Sequence, residues 1–151
     1  MKKEIRLEIG SGRAKLEGYR TLDNDPSVGA NILADIEDFL PFEGQSIDEI
    51  RAHSILEHID TRNKVKVMAE FFRVLKFGGI LDIKVPIAGT PQSYQDPTHL
   101  SYWNENSFWY FIKDNKFHEA FKTRYSKYSV PCFKKVSDKT EGYCYFIKLQ
   151  K

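Results

Sequence analysis

The chain has 151 residues, 41% of them hydrophobic and 29% charged, with a formal net charge of +2. This suffices for one domain over residues 1–151 with a sizeable core, and the composition is that of an ordinary globular protein. No apolar run approaches the ~20 residues of a membrane span, and Met1-Lys2-Lys3-Glu4 leads directly into a strand-like pattern rather than a leader peptide.

A cytoplasmic protein without membrane contact is expected. Cys132 and Cys144 have no metal-ligand spacing and read as two reduced thiols. Residues 1–112 hold 13 Lys/Arg and 17 Asp/Glu, net −4, and residues 113–151 hold 10 and 4, net +6. The basic cations are scattered singly, which favours a solvated surface over a nucleic-acid interface.

Ile5-Arg6-Leu7-Glu8-Ile9 alternates apolar and polar residues, a strand pattern that runs into Gly10-Ser11-Gly12. Tyr19 to Leu22, ending at Asp23, is a second strand, and Asn31 to Ile36 a third. Ile47 to Ala52, ending at His53, is a fourth. Val65, Met68, Phe72 and Leu75 form one apolar stripe on a helix over 61–76, with Asp60 or Thr61 as its cap and Gly78-Gly79 as its stop. Ile80 to Val85 is a fifth strand, closed by Pro86. Residues 104–113 read as a short helix, and Phe121 to Val130 and Gly142 to Leu149 as two last strands. Strands separated by crossovers in the first half imply a parallel sheet.

Strands buried on both faces should be apolar throughout. Here Arg6 and Glu8, Glu49 and Arg51, and Asp82 and Lys84 alternate with apolar residues on three successive central strands. One sheet face should therefore be only partly covered by helices, or covered by a polar partner. The ten residues Arg13 to Leu22 between Gly12 and Asp23 leave little room for a crossover helix.

A glycine turn after a strand lets a ligand approach the main chain closely. Asp23, at the end of the next strand, can accept from the cis hydroxyls of a ribose, and Asp25 could serve instead. Asp35, at the end of the third, can accept from an adenine amino group. Each has a plain structural reading as a turn or cap residue. Together they fall at the carboxyl ends of successive strands, where open α/β sheets bind ligands.

Three segments carry a resemblance. Leu7-Glu8-Ile9-Gly10-Ser11-Gly12 resembles the first motif of class I S-adenosylmethionine-dependent methyltransferases. The run Ile47 to Ile59 is similar to that family's fourth-strand segment. Glu70-Phe71-Phe72-Arg73-Val74-Leu75-Lys76-Phe77-Gly78-Gly79 is similar to its helix-to-fifth-strand signature, with Phe77 where a proline is usual. Leu40-Pro41-Phe42 also fits. The short gap before Asp23, Gly18-Tyr19 and Asp96-Pro97-Thr98-His99 resemble a compact bacterial and phage subgroup.

The resemblance implies a Rossmann-like, mostly parallel sheet of about seven strands with an antiparallel C-terminal strand and a trimmed helix layer on one face. It implies S-adenosylmethionine as cofactor. Gly10, Ser11 and Gly12 would approach its methionine part, Asp23 its ribose, Asp35 and Ile36 its adenine, and His53 and Ser54 the methionine part or the reacting methyl.

His99 and His58 are the candidate catalytic bases if the acceptor must lose a proton, since imidazole titrates near neutral pH. Asp96, Tyr102 and Trp103 are the candidate substrate contacts, within an aromatic stretch that also holds Tyr94, Phe108, Trp109, Tyr110 and Phe111. No common zinc spacing is present, so no metal is expected. The expected partner is a small-molecule acceptor, such as a sugar or glycan precursor, rather than nucleic acid, and a homo-oligomer is compatible with the polar face. Cofactor binding without catalysis is the alternative. A nicotinamide oxidoreductase is disfavoured, because Lys15 replaces the third glycine of the dinucleotide motif and a pyrophosphate needs a helix N-terminus there.

Overall fold

The structure is a computed structural model that describes residues 4–124 and 129–151. In chain order it contains β1 (Arg6–Ile9), β2 (Arg20–Asp23), β3 (Ile32–Leu33), β4 (Ile47–His53), α1 (Lys64–Val74), β5 (Leu75–Pro86), α2 (Pro91–Tyr94), α3 (Glu105–Trp109), α4 (Lys116–Arg124), β6 (Lys134–Glu141) and β7 (Cys144–Gln150). The strands form one seven-stranded sheet in the order β3-β2-β1-β4-β5-β7-β6. The first five are parallel, and β7 runs antiparallel to both β5 and β6.

The two faces of this sheet differ in chemistry because strand side chains alternate. Leu7 and Ile9, Ile50 and Ala52, Leu81, Ile83 and Val85, and Ile147 and Leu149 turn to one side and are buried. Val67, Met68, Phe71 and Val74 of α1 close over the same core, joined by Trp103, Phe108 and Phe133. Each such side chain stabilises the fold by about 1.5–3 kcal/mol when fully buried.

The opposite face is polar. Strand register sets Arg6 opposite Glu49, Glu8 opposite Arg51, and Arg51 opposite Asp82. Arg51 bonds Glu8 at 2.6 Å, His53 bonds Asp82 at 3.0 Å, and Lys148 reaches the other oxygen of Asp82 at 3.1 Å. Burial works to raise the Asp82 carboxyl, and the bonds from His53 and Lys148 override it and hold the group below the usual range. Tyr19 crosses over to donate to Glu49 at 2.8 Å. Among the described residues no α-helix lies between β1 and β2 or between β2 and β3, where only turns and a 3-10 turn at Pro26–Val28 stand. The six side chains singled out by alternation are therefore not packed under apolar helices, and a partly buried ion-pair lattice stands in place of that layer.

Three expectations need correction. The helix ends at Val74 rather than at Gly78-Gly79, because Leu75 already pairs with Ile47 as the start of β5. Gly79 instead serves a close approach. A Cβ there would stand 2.9 Å from the Lys76 carbonyl and 3.1 Å from that of Asp48, at the bulge between β4 and β5. The supposed strand at 121–130 is helical through Arg124, and residues 125–128 of it lie outside the described residues. The third strand shrinks to Ile32–Leu33. Cys132 and Cys144 are both free thiols.

Candidate functional site

The C-terminal ends of β1, β2 and β3 meet at a small slot. Gly10 leaves β1 with φ +64°, and its N–H donates to the Leu22 carbonyl at 2.9 Å. Gly12 (φ +53°) turns the chain back, and its N–H donates to Asp23 Oδ2 at 2.8 Å. Asp23 thus ties the glycine turn to the end of β2, while its Oδ1 accepts from the Asp25 N–H at 3.0 Å. Each oxygen keeps a lone pair for a ligand. Asp25 is occupied as the cap of the following 3-10 turn, accepting from Ser27 N–H, and that bond holds its carboxyl below the ordinary range. Asp35 accepts from Glu37 N–H at 2.8 Å and from the Asn24 side chain at 3.2 Å.

Gly10, Leu22, Asp23, Asn24, Ala34, Asp35, Ile36 and Ile55 enclose about 40 Å³ here. The slot has apolar walls, two carboxylates at its lip, and a floor where only glycine fits. A Cβ on Gly10 would fall 2.6 Å from Ile55 Cδ1. This combination suits the edge of a planar base and a ribose diol. The enclosed part is small, and the Ile55 side chain is the wall that sets its width. Gly10, Asp23, Asp35 and Ile36 are thus brought together as the sequence suggested. Leu22, Asn24, Ala34 and Ile55 were not foreseen. Ser11 is buried behind the turn, with its hydroxyl on the Gly12 carbonyl.

His53 departs from its expected place. Its ring turns toward β5, bonded to Asp82 and edge-on to Phe146, on the helix-free face. Ser54 follows with φ +55°, an unusual conformation for a residue with a side chain, and it is exposed at the rim.

A second cluster lies past β4. The 3-10 turn Leu56–His58 is zipped to the loop after α2: Leu100 and Ser101 N–H groups donate to the Glu57 carbonyl at 2.8 and 2.9 Å. Ser101 Oγ and Trp103 Nε1 both donate to the Leu56 carbonyl, at 2.7 and 3.0 Å. The zipper brings His99 against His58, with ring centroids 4.9 Å apart. Asp96 accepts from the Thr98 hydroxyl at 2.6 Å, and this bond holds its carboxyl low. Glu57 is buried beside them, and burial pushes its carboxyl up. Tyr102 is exposed and lies against Tyr94, the rings tilted at 44° with centroids 4.9 Å apart. Trp103 is not a substrate contact. It is 1% exposed, stacked on Phe108, and anchors the turn that carries Glu57 and His58.

Lys64, at the start of α1, donates to the Tyr102 carbonyl at 2.5 Å and lies 4.3 Å from the Trp103 ring centre. Burial lowers its pKa to about 8. Between that value and the ordinary one near 10.4 the unfolded chain binds more protons than the folded one, so this group makes stability rise with pH over that window. Comparing urea unfolding of the parent chain and Lys64→Gln from pH 8 to 10.5, the parent should gain stability relative to the variant. A flat difference would show that Lys64 is not desolvated.

The model of the methyltransferase domain family matches residues 8–83, half of the chain, from β1 and the glycine turn through β5. The chain belongs to this family of class I, S-adenosylmethionine-dependent methyltransferases. Family members draw their methyl group from S-adenosylmethionine. No curated protein matches the chain. Among solved structures, a SAM-dependent methyltransferase from Archaeoglobus fulgidus aligns with TM-score 0.68 and 14% identity over 99% of this chain and 87% of that one. One from Methanosarcina mazei aligns with TM-score 0.69 and 15% identity over 100% and 94%. A Burkholderia thailandensis 1,6-didemethyltoxoflavin-N1-methyltransferase, solved with that compound and S-adenosylhomocysteine, aligns with TM-score 0.63 and 14% identity over 97% and 70%. These likenesses are of fold. Among the described residues no helix is long and apolar enough to cross a membrane.

Proposed function

We propose that this methyltransferase domain binds S-adenosylmethionine across the rim of β1, β2 and β3 and methylates a small molecule held at the His58–His99 cluster. The observation that carries this reading is the slot where Gly10, Asp23, Asp35 and Ile36 converge. Asp23 would hold the ribose and Asp35 the adenine amino group, with Ile36 on the base. Gly10, Ser11, Gly12 and Ser54 would border the methionine part. When bound, the cofactor supplies an electrophilic methyl group on sulfur, so the protein mainly positions and desolvates.

The acceptor side falls to His58, His99, Asp96 and Tyr102. His99 Nδ1 meets the Ser93 carbonyl at 3.1 Å and must donate to it, which leaves Nε2 with a lone pair able to take a proton. A small acceptor, of which a sugar or glycan precursor is one class, suits a site built from one 3-10 turn and one short loop. A second reading, cofactor binding without transfer, is favoured by the minimal lid over the acceptor side, where the segment between β5 and His99 carries only the short α2 among the described residues.

Calorimetric titration tests the first half: S-adenosylmethionine should bind, and Asp23→Ala should weaken it by about 1–3 kcal/mol, roughly 5- to 150-fold. Equal affinity would assign the ribose to another group. Incubation with methyl-labelled cofactor and a metabolite extract tests the second. Label in a small product supports transfer, and binding without any labelled product supports the second reading.

A further inference from the structure

Glu57, His58 and His99 are one residue and 41 residues apart in the chain, yet one ligand-type atom from each lies within 4.8 Å of the other two. Two features distinguish this cluster from a chance meeting of polar groups. Glu57 is 3% exposed, and its Oε2 is buried with no hydrogen-bond partner. A carboxylate left in that state costs free energy unless something else meets it. Both imidazoles, moreover, are held in the same tautomer. The Ser93 carbonyl can only accept, so His99 Nδ1 is protonated. The Thr98 hydroxyl spends its proton on Asp96 Oδ1 at 2.6 Å, so at 3.1 Å it accepts from His58 Nδ1. Each ring therefore has Nε2 as its remaining nitrogen, and that of His99 lies 3.8 Å from Asp96 Oδ2, beyond hydrogen-bond reach. Metal-binding histidines are oriented in this way, by giving the other N–H to a carbonyl or to a carboxylate-linked group.

We propose that Glu57, His58 and His99 form a binding site for a divalent transition cation, with open coordination positions toward the acceptor loop. Two imidazoles and one carboxylate suit Mn²⁺, Fe²⁺, Co²⁺ or Zn²⁺ better than Mg²⁺ or Ca²⁺, which prefer all-oxygen sets. Bonds of about 2.0–2.2 Å would draw the three donors together by small side-chain rotations. The cation would meet the unpartnered carboxylate oxygen and offer its remaining positions to an oxygen-bearing acceptor. Only that last role rests on the methyl-transfer reading, and there a bound cation would replace His99 as the group that activates the acceptor, because a ligated Nε2 no longer takes a proton. Cation binding stands without it.

The test uses the purified full chain after chelator treatment, titrated with Mn²⁺ and followed by the loss of the free-ion electron paramagnetic resonance signal, and with Co²⁺ followed by visible absorption. One cation per chain is expected. Glu57→Gln and His99→Asn should each weaken it at least about tenfold, while S-adenosylmethionine affinity stays within about twofold. Circular dichroism establishes that both variants are folded, and the near-isosteric Glu57→Gln should be no less heat-stable than the parent chain, because it removes a buried charge. His53→Gln, which alters the His53–Asp82 pair on the other face, should leave cation binding unchanged. Absence of saturable binding, or binding equal in all variants, overturns the site. Loss of cofactor binding in the parent chain would instead overturn the function proposed above and leave the cation site standing.

Discussion

Trp103→Ala should be the most destabilising single change near the site, costing about 3–5 kcal/mol. The indole is fully enclosed, stacks on Phe108 at 5.2 Å, and donates to both the Leu56 carbonyl and Ser101 Oγ. Truncation would remove that packing and leave a cavity beside the turn carrying Glu57 and His58. For a chain of this size the loss corresponds to a fall in melting temperature of roughly 10 °C. Trp109 is the comparison. It is half-buried and stacks on Phe117 at 5.1 Å, so Trp109→Ala should cost clearly less. Thermal unfolding of the two variants side by side decides the matter. Equal losses would mean that the anchor role assigned to Trp103 is wrong.

Gly10→Ala should close the cofactor slot. Two costs coincide at this position. The backbone sits at φ +64°, which penalises any residue with a Cβ by about 1–2 kcal/mol. The new methyl carbon would also stand 2.6–2.8 Å from three Ile55 side-chain carbons, Cβ among them, so rotating the tip of Ile55 does not relieve the clash. Overpacking of this kind costs about 1–3 kcal/mol. S-adenosylmethionine affinity should fall by more than tenfold, with a lower melting temperature. Gly12→Ala is the control, since a Cβ there meets nothing within 4 Å and only the backbone cost remains. Affinity unchanged in Gly10→Ala would place the cofactor away from β1.

Residues 5–86 were largely legible because their signals are local. Alternation marked β1, β4 and β5, and glycines and aspartates marked the strand ends that converge on the slot. The strand expected from Phe121 fails over residues 121–124, which are helical, because their aromatic spacing suits a strand as well as a helix. What settles it is distant: His118 donates to the Tyr110 carbonyl at 2.7 Å, and Phe117 packs on Trp109. Gly78-Gly79 looked like a helix stop because sequence does not show that Leu75 would pair with Ile47. His53 is the last residue of β4 rather than a residue beyond it, so alternation with the buried Ala52 turns it to the polar face, where Asp82 meets it. The Glu57–His58–His99 cluster had only the adjacency of Glu57 and His58 as a local sign. The rest depends on a backbone zipper that joins Glu57 to Leu100 and Ser101, far along the chain.

The ion-pair lattice on the uncovered side of the sheet has a consequence for how the molecule behaves in a crowded solution. A bare β-surface of aliphatic side chains would be a broad adhesive plane, and such planes drive aggregation. Alternating positive and negative groups keep this side wetted without giving it a single sign that would recruit polyanions. The domain thus does without helices between β1 and β3, among the described residues, and presents no such plane. It follows that apolar replacements at Arg51 or Asp82 should show first as lost solubility, before any change in the chemistry at the rim.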